Sequence, residues 1–242
     1  MVSCSETVRV MSYNVHHCRG VDDKIDYARI AEVITRVSPD FVALQELDSA
    51  TARNNGKVCI DELAEASGMY PTYAAAIKFG GGSYGIGLLS REEPLSSCVL
   101  PLVSSGEARR LLIVEFEDYV VCCTHFPLDD DDRLSSAYIL CNALKECKKP
   151  LLLAGDMNSR DGDPEQQLLA GSFTVLNNPE EATFPSIAPE ECIDFIYAMN
   201  NGYMCKPRAS VVMFADSIAS DHLPLYVDVD ISKRLFSIPF SW

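Results

Sequence analysis

Four short apolar runs each end in side chains able to hold a cation or move a proton: Met11-Ser12-Tyr13-Asn14, Val42-Ala43-Leu44-Gln45-Glu46, Val121-Cys122-Cys123-Thr124-His125 and Leu152-Leu153-Ala154-Gly155-Asp156-Met157-Asn158. Asp194 lies inside the apolar Ile193–Tyr197, and Ser220-Asp221-His222 directly precedes another apolar stretch. A polar group in or beside an apolar strand loses its hydration unless it is paired or liganded. Any one of these residues alone reads best as a cap, a turn or a satisfied core group. Their recurrence on one short chain points instead to a shared site at strand ends, where functional groups gather in α/β proteins. The donors are the carboxylates Glu46, Asp156, Asp194 and Asp221, the carboxamides Asn14 and Asn158, and the imidazoles His125 and His222. Oxygen donors with few nitrogens suit a hard cation, Mg²⁺ or Mn²⁺, better than zinc. A cation of that kind beside imidazole compensates the charge of a phosphoryl group that would otherwise repel an incoming hydroxide.

Strand-length apolar runs alternate with helical patterns along the whole chain, and no Pro/Ser/Gly-rich linker divides it, which predicts one domain over 1–242. Val8–Val15, Phe41–Leu44, Tyr84–Leu89, Ser97–Leu100, Leu111–Phe116, Tyr119–Thr124, Pro150–Ala154, Cys192–Ala198, Ala209–Met213 and Leu225–Val229 read as strands, with a hairpin at Glu117–Asp118. Helical spacing appears at Ile30, Val33, Ile34 and Val37 before Pro39, at Asp61–Ser67 before Gly68, and at Ala137, Leu140, Cys141 and Leu144. About ten strands against three helices favour two packed sheets with helices outside them over a doubly wound sheet, which needs more helices to cover both faces.

The 242 residues carry 35 acidic against 20 basic side chains, a formal charge of −15. That balance argues against a nucleic-acid coat protein, because non-specific affinity comes from Lys and Arg on phosphates. A nucleic-acid substrate is therefore less favoured than a small one. No apolar run reaches the length of a membrane span, and the residues before Met11 carry Ser3, Ser5 and Glu6 where a signal peptide needs its apolar stretch. The expectation is a cytoplasmic monomer with no integral membrane association. None of the ten cysteines forms a Cys-x-x-Cys pair, and Cys122, Cys123, Cys141 and Cys192 sit in apolar runs, as reduced, buried thiols do.

Taken in order, Ser12-Tyr13-Asn14-Val15, Leu44-Gln45-Glu46, Tyr84-Gly85 with Leu88-Leu89-Ser90-Arg91, Thr124-His125, Gly155-Asp156-Met157-Asn158, Ile193-Asp194-Phe195-Ile196 and Ser220-Asp221-His222 resemble the ordered motifs of the endonuclease/exonuclease/phosphatase superfamily. The resemblance runs from residue 12 to residue 222. It implies a four-layer α-β-β-α sandwich of the DNase I-like kind, α/β in class, with two packed, mostly antiparallel or mixed sheets flanked by helices. It further implies Mg²⁺-dependent hydrolysis of a phosphoester. By that resemblance Glu46 binds the metal with Asn14 beside it and Asp221 as a further metal-side acid. Asp156 and Asn158 position the attacking water and a phosphate oxygen, and His222, held by Asp194, stands at the phosphoryl centre. His125 matches a histidine of the branch that resembles pancreatic DNase and the sphingomyelinases, where abasic-site nucleases carry tyrosine. Two positions depart from the pattern: His16 stands where abasic-site enzymes carry an acid, and Arg133 is followed by Ser136 where many relatives have Arg-x-x-Gln.

Asp194 beside His222 should raise the imidazole's pKa and fix its tautomer, which makes Asp156 the base; the reverse assignment, His222 as base, stays open. Small-molecule or lipid-headgroup diesters are the expected substrates, with a DNA or RNA endonuclease and a non-catalytic binding module as the alternatives. Arg109 and Arg110 are candidates to clasp a substrate phosphate, and His17, with His16, is a candidate to line the cleft. Gly80–Gly85 satisfies G-x-G-x-x-G, but a strand-like run follows where that motif needs a helix, so it reads as a loop at the site's rim. Asp129–Asp132 reads as a solvated turn.

Overall fold

The computed structural model describes residues 6–233. Two six-stranded sheets are formed by β1 (Glu6–Asn14), β2 (Phe41–Ser49), β3 (Tyr70–Phe79), β4 (Gly82–Ser90), β5 (Ser96–Leu102), β6 (Arg109–Glu115), β7 (Val120–His125), β8 (Leu151–Asp156), β9 (Phe173–Val175), β10 (Asp194–Met199), β11 (Tyr203–Val212) and β12 (Leu225–Lys233). The first sheet has the order β11-β12-β1-β2-β4-β3 and the second β5-β6-β7-β8-β10-β9. Pairing is antiparallel except for β1 with β2 and β7 with β8, near the middle of each sheet. The helices are α1 (Tyr27–Val37), α2 (Cys59–Ser67), α3 (Asp130–Leu144) and α4 (Pro164–Ala170).

Three apolar layers make this a four-layer α-β-β-α sandwich. Between the sheets, Val8, Val10, Phe41, Ala43 and Val227 meet Leu112, Val121, Cys123, Leu152 and Ile196. Ile30, Ile34, Ile60 and Leu63 cover Met11, Tyr13 and Leu44 on the outer face of the first sheet, while Ala137, Leu140 and Leu169 cover Cys122, Leu153 and Phe195 on the second. Strand alternation explains the division, because successive side chains point to opposite faces. Each fully buried leucine contributes roughly 1.5–3 kcal/mol to holding these layers together.

Strands and helices form where the apolar pattern predicts them, with three additions. β3 carries Pro71 and is mostly exposed or half-buried at a sheet edge, β9 is three residues long, and α4 opens on Pro164 and runs for only seven residues; none presents a sustained apolar period. Asp129–Asp132 is not a free turn. Asp129 caps α3 by accepting from the main-chain N–H groups of Asp131 and Asp132, and the acids that follow sit in the favourable first turn of the helix. Gly80 and Gly81 form the β3–β4 turn, and β4 begins at Gly82. The nine described cysteines are free. No helix among the described residues is long and apolar enough to cross a membrane.

Candidate active site

The alternation that builds the inter-sheet core also builds the site. On β1 the inward positions Val8 and Val10 are followed by Ser12 and Asn14; on β7 Val121 and Cys123 lead to His125; on β8 Leu152 and Ala154 lead to Asp156. On β10, which runs the other way, Asp194 precedes the inward Ile196 and Ala198. Register then sets His125 opposite Asp156 and Asp156 opposite Asp194. Gly155 permits this closeness, since a Cβ there would lie 2.2 Å from the carbonyl oxygen of Thr124. Glu46 arrives by a different device. β2 gains an extra residue against β4 between Leu44 and Leu47, and Glu46 takes φ 61°, a bulge that re-aims its carboxylate.

Asn14 ties the halves together. Its Nδ2 donates to Glu46 Oε1 at 3.1 Å and to Asp156 Oδ2 at 3.0 Å, and lies 3.5 Å from His222 Nε2. Its Oδ1 accepts from the main-chain N–H of His16. The amide therefore turns its nitrogen to Glu46 and acts as a strut between two carboxylates.

Asp156 is 1% exposed, and its Oδ2 lies 3.6 Å from both His125 Nε2 and His222 Nε2. Burial pushes its pKa up to about 7 against the opposing pull of His222. His222 Nδ1 sits 2.9 Å from Asp194 Oδ2, which also accepts from the Thr183 hydroxyl at 2.6 Å. Burial alone would depress the imidazole, but Asp194 and Asp156 outweigh it and lift His222 to about 10, so it is an imidazolium at neutral pH. His125 is driven well below the ordinary range by burial and by the Arg109 guanidinium, and is neutral.

The Glu46 side is more open. His16 and His17 adopt φ 45° each, and a donor atom from either ring and from Glu46 fall within 4.8 Å of one another. Nδ1 of His16 and Nδ1 of His17 are buried without a hydrogen-bond partner. Burial and Arg53 lower His17 to about 4. Asp221 Oδ2 lies 3.7 Å from His16 Nδ1. Arg53, Ile77, Phe79, Tyr84 and Glu107 complete the wall of this recess. Carboxylates converging with unpartnered imidazole nitrogens are a donor set that fits a divalent cation. A second acid–histidine group, Asp156, Asp194 and His222, has the composition of a metal site too, but its facing atoms are already engaged with one another.

Asn158, at φ 47°, donates its main-chain N–H to Asp156 Oδ1 and its Nδ2 to the Phe126 carbonyl. Arg109 is buried, pairs with Glu107 and reaches within 3.5 Å of His125 Nδ1. Arg110 is not brought to the cluster: its guanidinium donates to the carbonyls of Arg109 and Ala76. Adjacent strand residues point apart, and that signal separates the two arginines. Arg133, buried, pairs with Glu165 and Asp130, while Ser136 donates to the Val103 carbonyl. Thr183, which fixes Asp194, and Glu107, which fixes Arg109, carry no motif in the sequence.

Residues 11–222 match the model of the Endonuclease/Exonuclease/phosphatase family. Among solved structures, an endonuclease/exonuclease/phosphatase from Beutenbergia cavernae superposes with a TM-score of 0.76 at 24% identity, covering 93% of this chain and 72% of that one. The human nocturnin catalytic domain with bound sulfate gives 0.71 at 18%, covering 96% and 97%. A mannosyl-6-phosphatase from Bacteroides thetaiotaomicron gives 0.71 at 16%, covering 92% and 99%. The likenesses share the fold, and the family match spans every motif from β1 to His222: the chain belongs to the endonuclease/exonuclease/phosphatase family of divalent-metal-dependent phosphoester hydrolases.

Proposed function

We propose that the protein hydrolyses a small phosphodiester, a free metabolite or a lipid headgroup, with a divalent cation, Mg²⁺ or Mn²⁺, held at Glu46 with Asp221 beside it. Such a cation, when bound, neutralises phosphoryl charge and polarises the P–O bonds. The chain's own residues supply the rest. Asp156, with a pKa near neutrality, accepts the proton of the attacking water, which Asn158 helps to orient. His222, kept cationic by Asp194, faces the charge that builds on the phosphoryl oxygens or protonates the leaving oxygen. Neutral His125, with Arg109 behind it, binds a phosphate oxygen, and His17 lines the approach.

One observation carries this reading: a single carboxamide, Asn14, bonds both Glu46 and Asp156 while His222 closes on Asp156 from Asp194. This supports a reading in which the acid assigned to the metal and the acid assigned to the water act on one phosphoryl group, since a shared amide nitrogen holds both carboxylates close. The charge of −15 favours small substrates over long polynucleotides. The test is a panel of phosphomonoesters, small phosphodiesters, lipid-headgroup diesters, and supercoiled DNA, with Mg²⁺ or Mn²⁺ added. Turnover of the small diesters with intact DNA supports the reading. Nicking of DNA, falling steeply with salt, replaces it with a nuclease.

A further inference from the structure

We propose that His16 and His17 are nitrogen ligands of the cation bound at Glu46, and that this centre takes Mn²⁺ or a later first-row ion in preference to Mg²⁺. The proposal rests on the reading that a divalent cation binds at Glu46, and it adds the other donors and the class of ion they select.

The segment after β1 is built at a conformational cost. His16, His17 and Cys18 take φ values of 45°, 45° and 62°, three successive left-handed residues with none of them glycine. Such backbone persists only where the surroundings hold it and clusters at functional sites. Its effect here is to bring two imidazole rings together, centroids 4.6 Å apart, beside Glu46, which stands on its own left-handed bulge. His17 is 5% exposed, and its Nδ1, like that of His16, meets no hydrogen-bond partner. A buried polar atom without a hydrogen-bond partner is uncommon in native proteins, and here two of them lie on rings that each bring a nitrogen within 4.8 Å of the other's and of a Glu46 oxygen, with Asp221 Oδ2 3.7 Å from His16 Nδ1.

The other acid–histidine group also has a buried atom without a partner, Asp194 Oδ1, but its histidine is engaged. His222 Nδ1 is engaged by Asp194, and Asp156 Oδ2 by Asn14. The unpartnered nitrogens are on the Glu46 side. Imidazole suits the later first-row ions best, and the affinity of a nitrogen–oxygen site rises from Mn²⁺ towards Cu²⁺, whereas Mg²⁺ keeps to oxygen and water. With imidazoles as neighbours, and with His16 standing where an acid would serve Mg²⁺ better, Glu46 lies in a mixed nitrogen–oxygen set.

The experiment uses the full chain, stripped with a chelator and reloaded with Mn²⁺ or Mg²⁺ alone. Calorimetry reads affinity, and pulsed EPR of the Mn²⁺ form reads hyperfine coupling to nitrogen. The expected result is directly coordinated nitrogen in the unsubstituted protein, and Mn²⁺ binding at least about tenfold tighter than Mg²⁺. His16→Asn and His17→Asn should each weaken Mn²⁺ by about tenfold or more and remove one of two nitrogen couplings, the double variant removing both, while Mg²⁺ affinity stays within about twofold. Asparagine is chosen because it tolerates left-handed backbone. Absence of nitrogen coupling in the unsubstituted protein overturns the proposal without any variant having to fold, and so does coupling that survives both substitutions. If Glu46→Gln abolishes Mn²⁺ binding while the histidine variants bind normally, the hydrolase reading stands and this proposal fails. Nitrogen-ligated Mn²⁺ in a protein that cleaves no phosphoester upholds this proposal and overturns that reading.

Discussion

On one side of the cleft Asp156, Asp194 and His222 bond to one another and to Thr183 and Asn14, with only Asp194 Oδ1 of the carboxylate oxygens left buried without a hydrogen-bond partner. On the other, His16 and His17 hold buried Nδ1 atoms without a hydrogen-bond partner, that of His16 lying 3.7 Å from Asp221 Oδ2. Both sides stand on strand ends of the same core, so the contrast is not one of burial alone. An imidazole bonded to a carboxylate holds its proton where the neighbouring charges put it, whereas imidazole nitrogens without a hydrogen bond are open to something that arrives from outside. The first half is suited to proton transfer and the second to coordination.

The largest effect that could break this division comes from Asp156→Asn. Turnover should fall by about 10²–10⁴-fold, with calorimetric metal affinity nearly unchanged; a parallel loss of metal would merge the two halves into one. Glu46→Gln should do the converse, weakening metal binding by about 100-fold while circular dichroism and thermal unfolding stay native-like.

Asp194→Asn should lower turnover by about tenfold to 100-fold and shift the pH profile. In the native protein kcat/KM should rise as Asp156 ionises near 7, a limb that a bound cation moves to lower pH, and fall as His222 loses its proton near 10. Without the Asp194 carboxylate the alkaline limb should move down, and an unmoved limb would show that another group sets it. The same imidazolium links stability to pH. His222 is raised from 6.5 to about 10 on folding, so its stabilising share is whole below 6.5 and is lost as pH climbs through 10. Denaturant melts of the metal-free protein across that window measure the loss. The smallest effects separate the arginines: Arg109→Ala should raise KM by about tenfold, and Arg110→Ala should leave it within about twofold.

How much of this was legible in the sequence depends on which physical rule placed each residue. Asn14, His125 and Asp156 could be found because strand alternation continues past the apolar positions at Val10, Cys123 and Ala154, and a polar residue there has to face the end of the core. The sandwich followed from the same periodicity and the shortage of helices. β3 escaped because its alternation is weak at an exposed edge with Pro71, and α4 because seven residues, about two turns, are too few to establish a period. Glu46 was visible as a residue type, but the bulge that aims it depends on pairing with β4. Left-handed geometry at His16 and His17 has no signature in those residue types, and Thr183 reaches Asp194 only through the fold.

The strut at Asn14 bears on how the molecule responds to deformation. The sheets are held to each other mainly by side chains without direction, and such a contact resists sliding less than it resists separation. One amide with hydrogen bonds to both faces of the gap works against that slide at the point where it matters. Removing its carboxamide, Asn14→Ala, leaves the slab intact and takes away the gauge between the two edges. Warming or mild denaturant should then blur the spacing of the reacting groups well before the chain unfolds, so that inactivation parts company with melting.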